Sequence, residues 1–110
     1  MAYRDRDMEI DLDAIDGVRV HIMARMLGID VTTANGYLVR FWKWSRINTA
    51  EGDLAGFEPS IIADGCAWTG DPMVFVAALY ECGPTPQHYG FIRQDTGHVA
   101  HWPWFAPRED

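Results

Sequence analysis

Residues 58–83 read Glu58-Pro59-Ser60-Ile61-Ile62-Ala63-Asp64-Gly65-Cys66-Ala67-Trp68-Thr69-Gly70-Asp71-Pro72-Met73-Val74-Phe75-Val76-Ala77-Ala78-Leu79-Tyr80-Glu81-Cys82-Gly83. The stretch contains two helix starts of one design. Proline is tolerated in a first helical turn, where its missing N–H has no intrahelical partner to lose. Asp71 adds a side-chain acceptor for the second start. The pattern predicts a short helix from Pro59 to Asp64, ending near Gly65 and turning Ile61, Ile62 and Ala63 inward. A tight turn through Gly65-Cys66-Ala67-Trp68 leads to a second helix over Pro72 to Cys82, with Gly83 beyond its end. Two short helices on a tight turn form a helix-turn-helix unit.

Upstream, Asp16-Gly17 opens a helix whose apolar positions Val18, Ile22, Met23, Met26 and Leu27 trace one face at helical spacing. Leu27-Gly28-Ile29-Asp30 breaks it, with Gly28 suited to a left-handed C-terminal position. Thr32 or Thr33 then caps a longer helix to about Ile47, which buries Leu38, Phe41, Trp42 and Ser45. Gly36 inside that helix is read as a point of close approach for the first helix. Before both lies an acidic segment, residues 1–16, with Asp5, Asp7, Glu9, Asp11 and Asp13 on odd positions and Met8, Ile10 and Leu12 on even ones. Period two predicts a short strand with an apolar edge and a row of carboxylates about 6.8 Å apart.

Downstream, Pro84-Thr85-Pro86 stops any helix. Tyr89 to Gln94 and His98 to Trp104 flank Asp95-Thr96-Gly97, a hairpin signal with glycine where positive φ is wanted. A short extended piece is also expected at Gly52-Asp53-Leu54. The whole is one domain over 1–110, mainly α with a small β part. It reads as a winged helix-turn-helix: four helices, an N-terminal strand (1–16), the helix-turn-helix (59–82) and a C-terminal β-hairpin wing (87–104).

At this level the chain resembles phage and prophage winged helix-turn-helix proteins related to the N-terminal domains of replisome organisers and replication initiators. The matching segments are Met26-Leu27-Gly28-Ile29, Ala34-Asn35-Gly36-Tyr37-Leu38-Val39, Phe41-Trp42-Lys43-Trp44-Ser45, Glu51-Gly52-Asp53-Leu54-Ala55-Gly56, Ile62-Ala63, Trp68-Thr69-Gly70-Asp71-Pro72, Phe75-Val76 and Ala78-Leu79. They cover residues 8 to about 102 and are mostly core and turn positions. The resemblance implies association with DNA or a replication complex.

Charge qualifies that implication. Nine Lys and Arg face sixteen Asp and Glu, for a formal charge of -7. Duplex DNA repels such a molecule unless its cations are gathered on one face. Arg40, Lys43 and Arg46 recur every three residues and are read as such a ridge, joined by Arg19, Arg25 and Arg93 as the candidate nucleic-acid contacts. From Asp71 to Glu81, however, the helix that would enter the major groove has no Lys, Arg, Asn or Gln to read base edges.

The acid row at Asp5, Asp7, Glu9, Asp11 and Asp13 supports an alternative. It is a protein-binding surface resembling a line of phosphates, as in an acidic, anti-CRISPR-like phage inhibitor of a host nucleic-acid machine. A third reading is a homodimer or protein contact through Trp102, Trp104 and Phe105. Trp68 is read as a core plug.

No enzyme, metal or cofactor is expected. Cys66 and Cys82 lack zinc-ligand spacing and are read as packed thiols, while His98 and His101 would point to opposite strand faces. No nucleophile elbow, phosphate loop or metalloprotease pattern occurs. The longest apolar run, Met73 to Tyr80, has eight residues, too few for a bilayer span. The charged start Arg4-Asp5-Arg6-Asp7 and the two cysteines point to a cytoplasmic protein.

Overall fold

The structure is a computed structural model that describes residues 13–49 and 51–100. It is mainly helical, with four helices: α1 (Val18–Leu27), α2 (Val31–Asn48), α3 (Pro59–Gly65) and α4 (Pro72–Glu81). Among the described residues the β content is two isolated antiparallel bridges, Asp53 with His98 and Ile92 with Val99. The predicted N-terminal strand falls largely before Asp13, outside the described residues; residues 13–16 form a turn.

Local chemistry sets the helix ends. Gly28 adopts the left-handed conformation (φ 69°) that closes α1, and Ile29 N–H reaches back to the Ala24 carbonyl at 3.0 Å. Only Gly28, Ile29 and Asp30 separate α1 from α2. Asp30, rather than Thr32 or Thr33, is the α2 cap: its carboxylate accepts from Thr33 N–H at 2.7 Å and from Thr33 Oγ1 at 3.1 Å. Those bonds, the backbone one first, lower the Asp30 pKa. Asp71 caps α4 by accepting from Met73 N–H at 2.9 Å, as its position before Pro72 foretold.

The core draws on every helix: Val20 and Met23 from α1, Leu38, Phe41 and Trp42 from α2, Ile62 and Ala63 from α3, Phe75, Ala78 and Leu79 from α4. Leu54, Phe91, Ile92 and Val99 close it from the loops. The α1 stripe differs from the expected one. Val20, Met23 and Ala24 are buried while Val18 and Met26 are exposed. The helix is turned by one residue step, about 100°, because α1 packs against both α2 and α4 and the small Ala24 fits that double contact. Gly36 is exposed with open space above its Cα, so it mediates no helix approach. Ile61 also departs from expectation, remaining 46% exposed; seven residues of α3 offer one buried flank, filled by Ile62 and Ala63.

The expected ribbon is reduced to single bridges, and the backbone donors explain why. Gly90 N–H donates to the Tyr80 carbonyl, and Phe91 and Ile92 N–H both donate to that of Leu79. These amides close the C-terminal end of α4 instead of pairing along a strand. On the other side, Val99 N–H goes to the Gly52 carbonyl and Leu54 N–H to that of Gly97. The extended piece at 52–54 therefore shares the segment a wing would use. The turn itself forms, with Gly97 at φ 72° and Arg93 N–H bonded to the His98 carbonyl at 2.8 Å.

Candidate macromolecular interface

The six cations read as nucleic-acid contacts do not share one face. Arg46 is only 3% exposed, in the middle of the α2 buried stripe. Steps of three residues fall 60° short of a full turn, so Arg46 lies about 120° around the helix from Arg40. The expected ridge stops at Lys43. Arg19 is half-buried and its Nε donates to the Tyr89 carbonyl at 2.9 Å. Arg93 is bound to Asp95 (Nη2 to Oδ2, 3.1 Å) and lies 5.2 Å from the Tyr89 ring centre. Their hydrogen bond raises the Arg93 pKa and lowers that of Asp95. Arg25, Arg40 and Lys43 remain exposed.

Arg40 borders a shallow hollow of about 340 Å³ with Thr33, Gly36, Tyr37 and Ala67. A second hollow of about 420 Å³ is lined by Glu81, Gly83, Pro84, Thr85, Pro86, His88 and Gln94. His88 Nδ1 meets Thr85 Oγ1 there at 2.5 Å, and Gln94 Nε2 donates to the Tyr80 carbonyl at 3.1 Å. Two of its groups are thereby tied within the segment after α4 or back to α4 itself. Among the described residues, no three His, Cys, Asp or Glu side chains are grouped to hold a metal ion. No helix among them is long and apolar enough to cross a membrane.

The two thiols are buried. Burial pushes Cys66 up to about 12, opposed in part by the nearby Arg40 charge, and Cys82 to about 11, opposed in part first by the Phe91 backbone N–H and last by the Arg19 charge. Neither thiol is a nucleophile at neutral pH. Trp68, expected as a core plug, is half-buried. It stacks on Phe75 at 5.3 Å and meets Tyr37 edge-on at 5.4 Å, while Nε1 donates to the Asp71 carbonyl at 3.1 Å. This aromatic trio ties α2 to the corner between α3 and α4.

Of the expected protein contacts, Asp13 is exposed in the turn before α1. Asp5, Asp7, Glu9, Asp11, Trp102, Trp104 and Phe105 lie outside the described residues, as does His101. The surface that sequence reading missed is on α4. Met73 is 64% and Val74 44% exposed, and with half-buried Ala77 they form an outward stripe at helical spacing. The signal was present: Met73 to Tyr80 is unbroken apolar sequence, and a helix packed on one side cannot bury such a run on every side. Compared with protein-family models, curated proteins and solved structures, the chain matches none of them.

Proposed function

We propose that this is a non-enzymatic, phage-type binding protein of the winged helix-turn-helix kind, whose α3–α4 unit contacts a protein component of a nucleic-acid complex rather than the duplex. The observation that carries this is the outward stripe of α4, apolar at Met73, Val74 and Ala77, where a groove helix would need base-reading side chains. The Ile92–Val99 bridge, with the Arg93 N–H bond to the His98 carbonyl, supports a minimal wing. Proteins that handle nucleic acid are commonly cationic, and a chain of formal charge -7 is steered toward them.

A second reading, direct association with DNA, is favoured by the exposure of Arg40 and Lys43 on α2, with Arg25 on α1. Fluorescence anisotropy with labelled duplex DNA at low salt separates the two. The protein-contact reading expects no binding up to tens of micromolar, roughly the non-specific range of duplex binders. Salt-sensitive binding that disappears in an Arg40→Glu, Lys43→Glu double variant would establish the second reading.

A further inference from the structure

The shallow hollow of about 340 Å³ lies between α2 and the corner after α3, with Thr33, Gly36, Tyr37 and Arg40 on one side and Ala67 on the other. Its α2 wall has the spacing i, i+3, i+4, i+7, one flank of a helix. Two residues of this lining are the reverse of what their backbone prefers. Gly36 stands inside α2, where glycine is a poorer choice than alanine. No atom lies within 4 Å of the place its Cβ would take, so packing within the fold does not call for a glycine. Ala67 holds the left-handed conformation (φ 64°), where glycine would be unstrained. The bare backbone at Gly36 keeps the hollow open and lets a ligand approach the helix closely. Local preferences set aside at two positions of one hollow are the mark of a surface shaped for something outside the fold.

The donors at this hollow are uncommitted. Among the described residues Arg40 makes no hydrogen bond or ion pair, and the Tyr37 hydroxyl has no hydrogen-bond partner. The Arg40 charge is felt at the buried Cys66 thiol, next to Ala67. That thiol is neutral at pH 7, so it supplies no counter-charge. Of the carboxylates on the flanking elements, Asp30 accepts from Thr33 N–H and Oγ1, while Asp64 and Asp71 are exposed; none is paired with Arg40. Tyr37 is held edge-on by Trp68 at 5.4 Å and Phe75 at 5.7 Å, which positions its ring before any ligand arrives.

We propose that this hollow binds a small phosphate monoester. Arg40 offers its fork to two phosphate oxygens, the Tyr37 hydroxyl donates to a third, and the carbon body of the ester lies over Gly36 and against Ala67. A carboxylate has only two oxygens, and the fork alone uses both. The hollow is open and at the small end of ligand pockets, so affinity is of millimolar order. The site belongs to α2 and the corner, apart from the outward stripe of α4, and stands or falls separately from the protein contact proposed above.

The test uses the full isotope-labelled chain at low salt, titrated with phenyl phosphate, inorganic phosphate and benzoate. Phenyl phosphate should shift the Gly36, Tyr37 and Ala67 amides, and the other two should bind more weakly. Arg40→Gln should weaken phenyl phosphate by about tenfold or more. Tyr37→Phe, which keeps the ring contacts, should keep Tm and lose about threefold. Gly36→Leu is the sharpest variant. It leaves Arg40 in place and improves helix propensity, so Tm should hold or rise, yet its side chain fills the hollow and should abolish the shifts.

Absence of shifts, shifts confined to other surfaces, undiminished binding by Gly36→Leu, or benzoate bound as tightly as phenyl phosphate overturns the proposal. Duplex DNA is the last probe. If it moves the same three amides and phenyl phosphate reverses the effect, nucleic acid is the source of the phosphate, and direct association with DNA gains the site it needs. A duplex that moves none of them makes a free ester the source, without bearing on the protein contact through α4.

Discussion

The two helix pairs carry opposite surpluses. Residues 13–49, with α1 and α2, hold five cations (Arg19, Arg25, Arg40, Lys43, Arg46) against three carboxylates (Asp13, Asp16, Asp30). Residues 51–92, with α3 and α4, hold six carboxylates and no cation. Yet the cation-rich half makes poor use of its charge for an outside ligand, since Arg46 is buried and Arg19 is bonded to a backbone carbonyl. In the acidic half five of the six carboxylates are exposed, Asp53 being half-buried, and Ile61, Met73 and Val74 are exposed as well. Counting charges therefore misleads; the availability of each charge decides what a surface can bind.

The halves are nevertheless joined through one core, and the largest expected effect breaks that joint. Phe75 is fully buried and touches Trp68 from the corner and Tyr37 from α2. Phe75→Ala should cost about 3–5 kcal/mol in urea unfolding. A loss below about 1 kcal/mol would mean that the helix pairs are only loosely coupled. Next comes Gly83→Ala, where the added methyl runs into the His88 carbonyl, backbone that cannot rotate away. A loss of about 1–3 kcal/mol is expected in urea unfolding.

Asp71→Ala removes the α4 cap and should cost about 1 kcal/mol. Asp71→Asn, which keeps an acceptor, should recover most of it. The smallest effect is alkaline. Both thiols have folded pKa values above their ordinary value of 9.0. Their contribution is thus complete below pH 9 and declines as pH climbs toward 11–12, because the unfolded chain loses its thiol protons first. At pH 9.5 each should cost under about 1 kcal/mol, measured as the difference from a Cys→Ala variant in a urea series.

Much of the helical framework was legible because it is written in local chemistry. Asp71-Pro72, Glu58-Pro59 and Gly28 act on their own neighbours, and the α2 stripe of Leu38, Phe41, Trp42 and Ser45 is long enough to have one reading. Shorter stripes were not decisive. Over the ten residues of α1, two apolar faces one step apart fit almost equally well, and packing against α2 and α4 selects between them. The ribbon was overread because sequence reveals its turn but not the competition for its amides by α4 and by residues 52–54. The exposed apolar stripe of α4 was hidden for a related reason. Arg46 looks like a surface cation by composition and Met73 like a core residue, and only the rotation of each helix reverses the two.

The amides of residues 90–92 that close α4 carry a consequence for recognition. Asp71 caps one end locally and three backbone donors from residues 90–92 hold the other, so the last turn of this rod cannot fray without breaking bonds to a distant segment of the chain. A partner that bound its outer flank would meet a preorganised surface, so little of the binding free energy would be spent on ordering this helix.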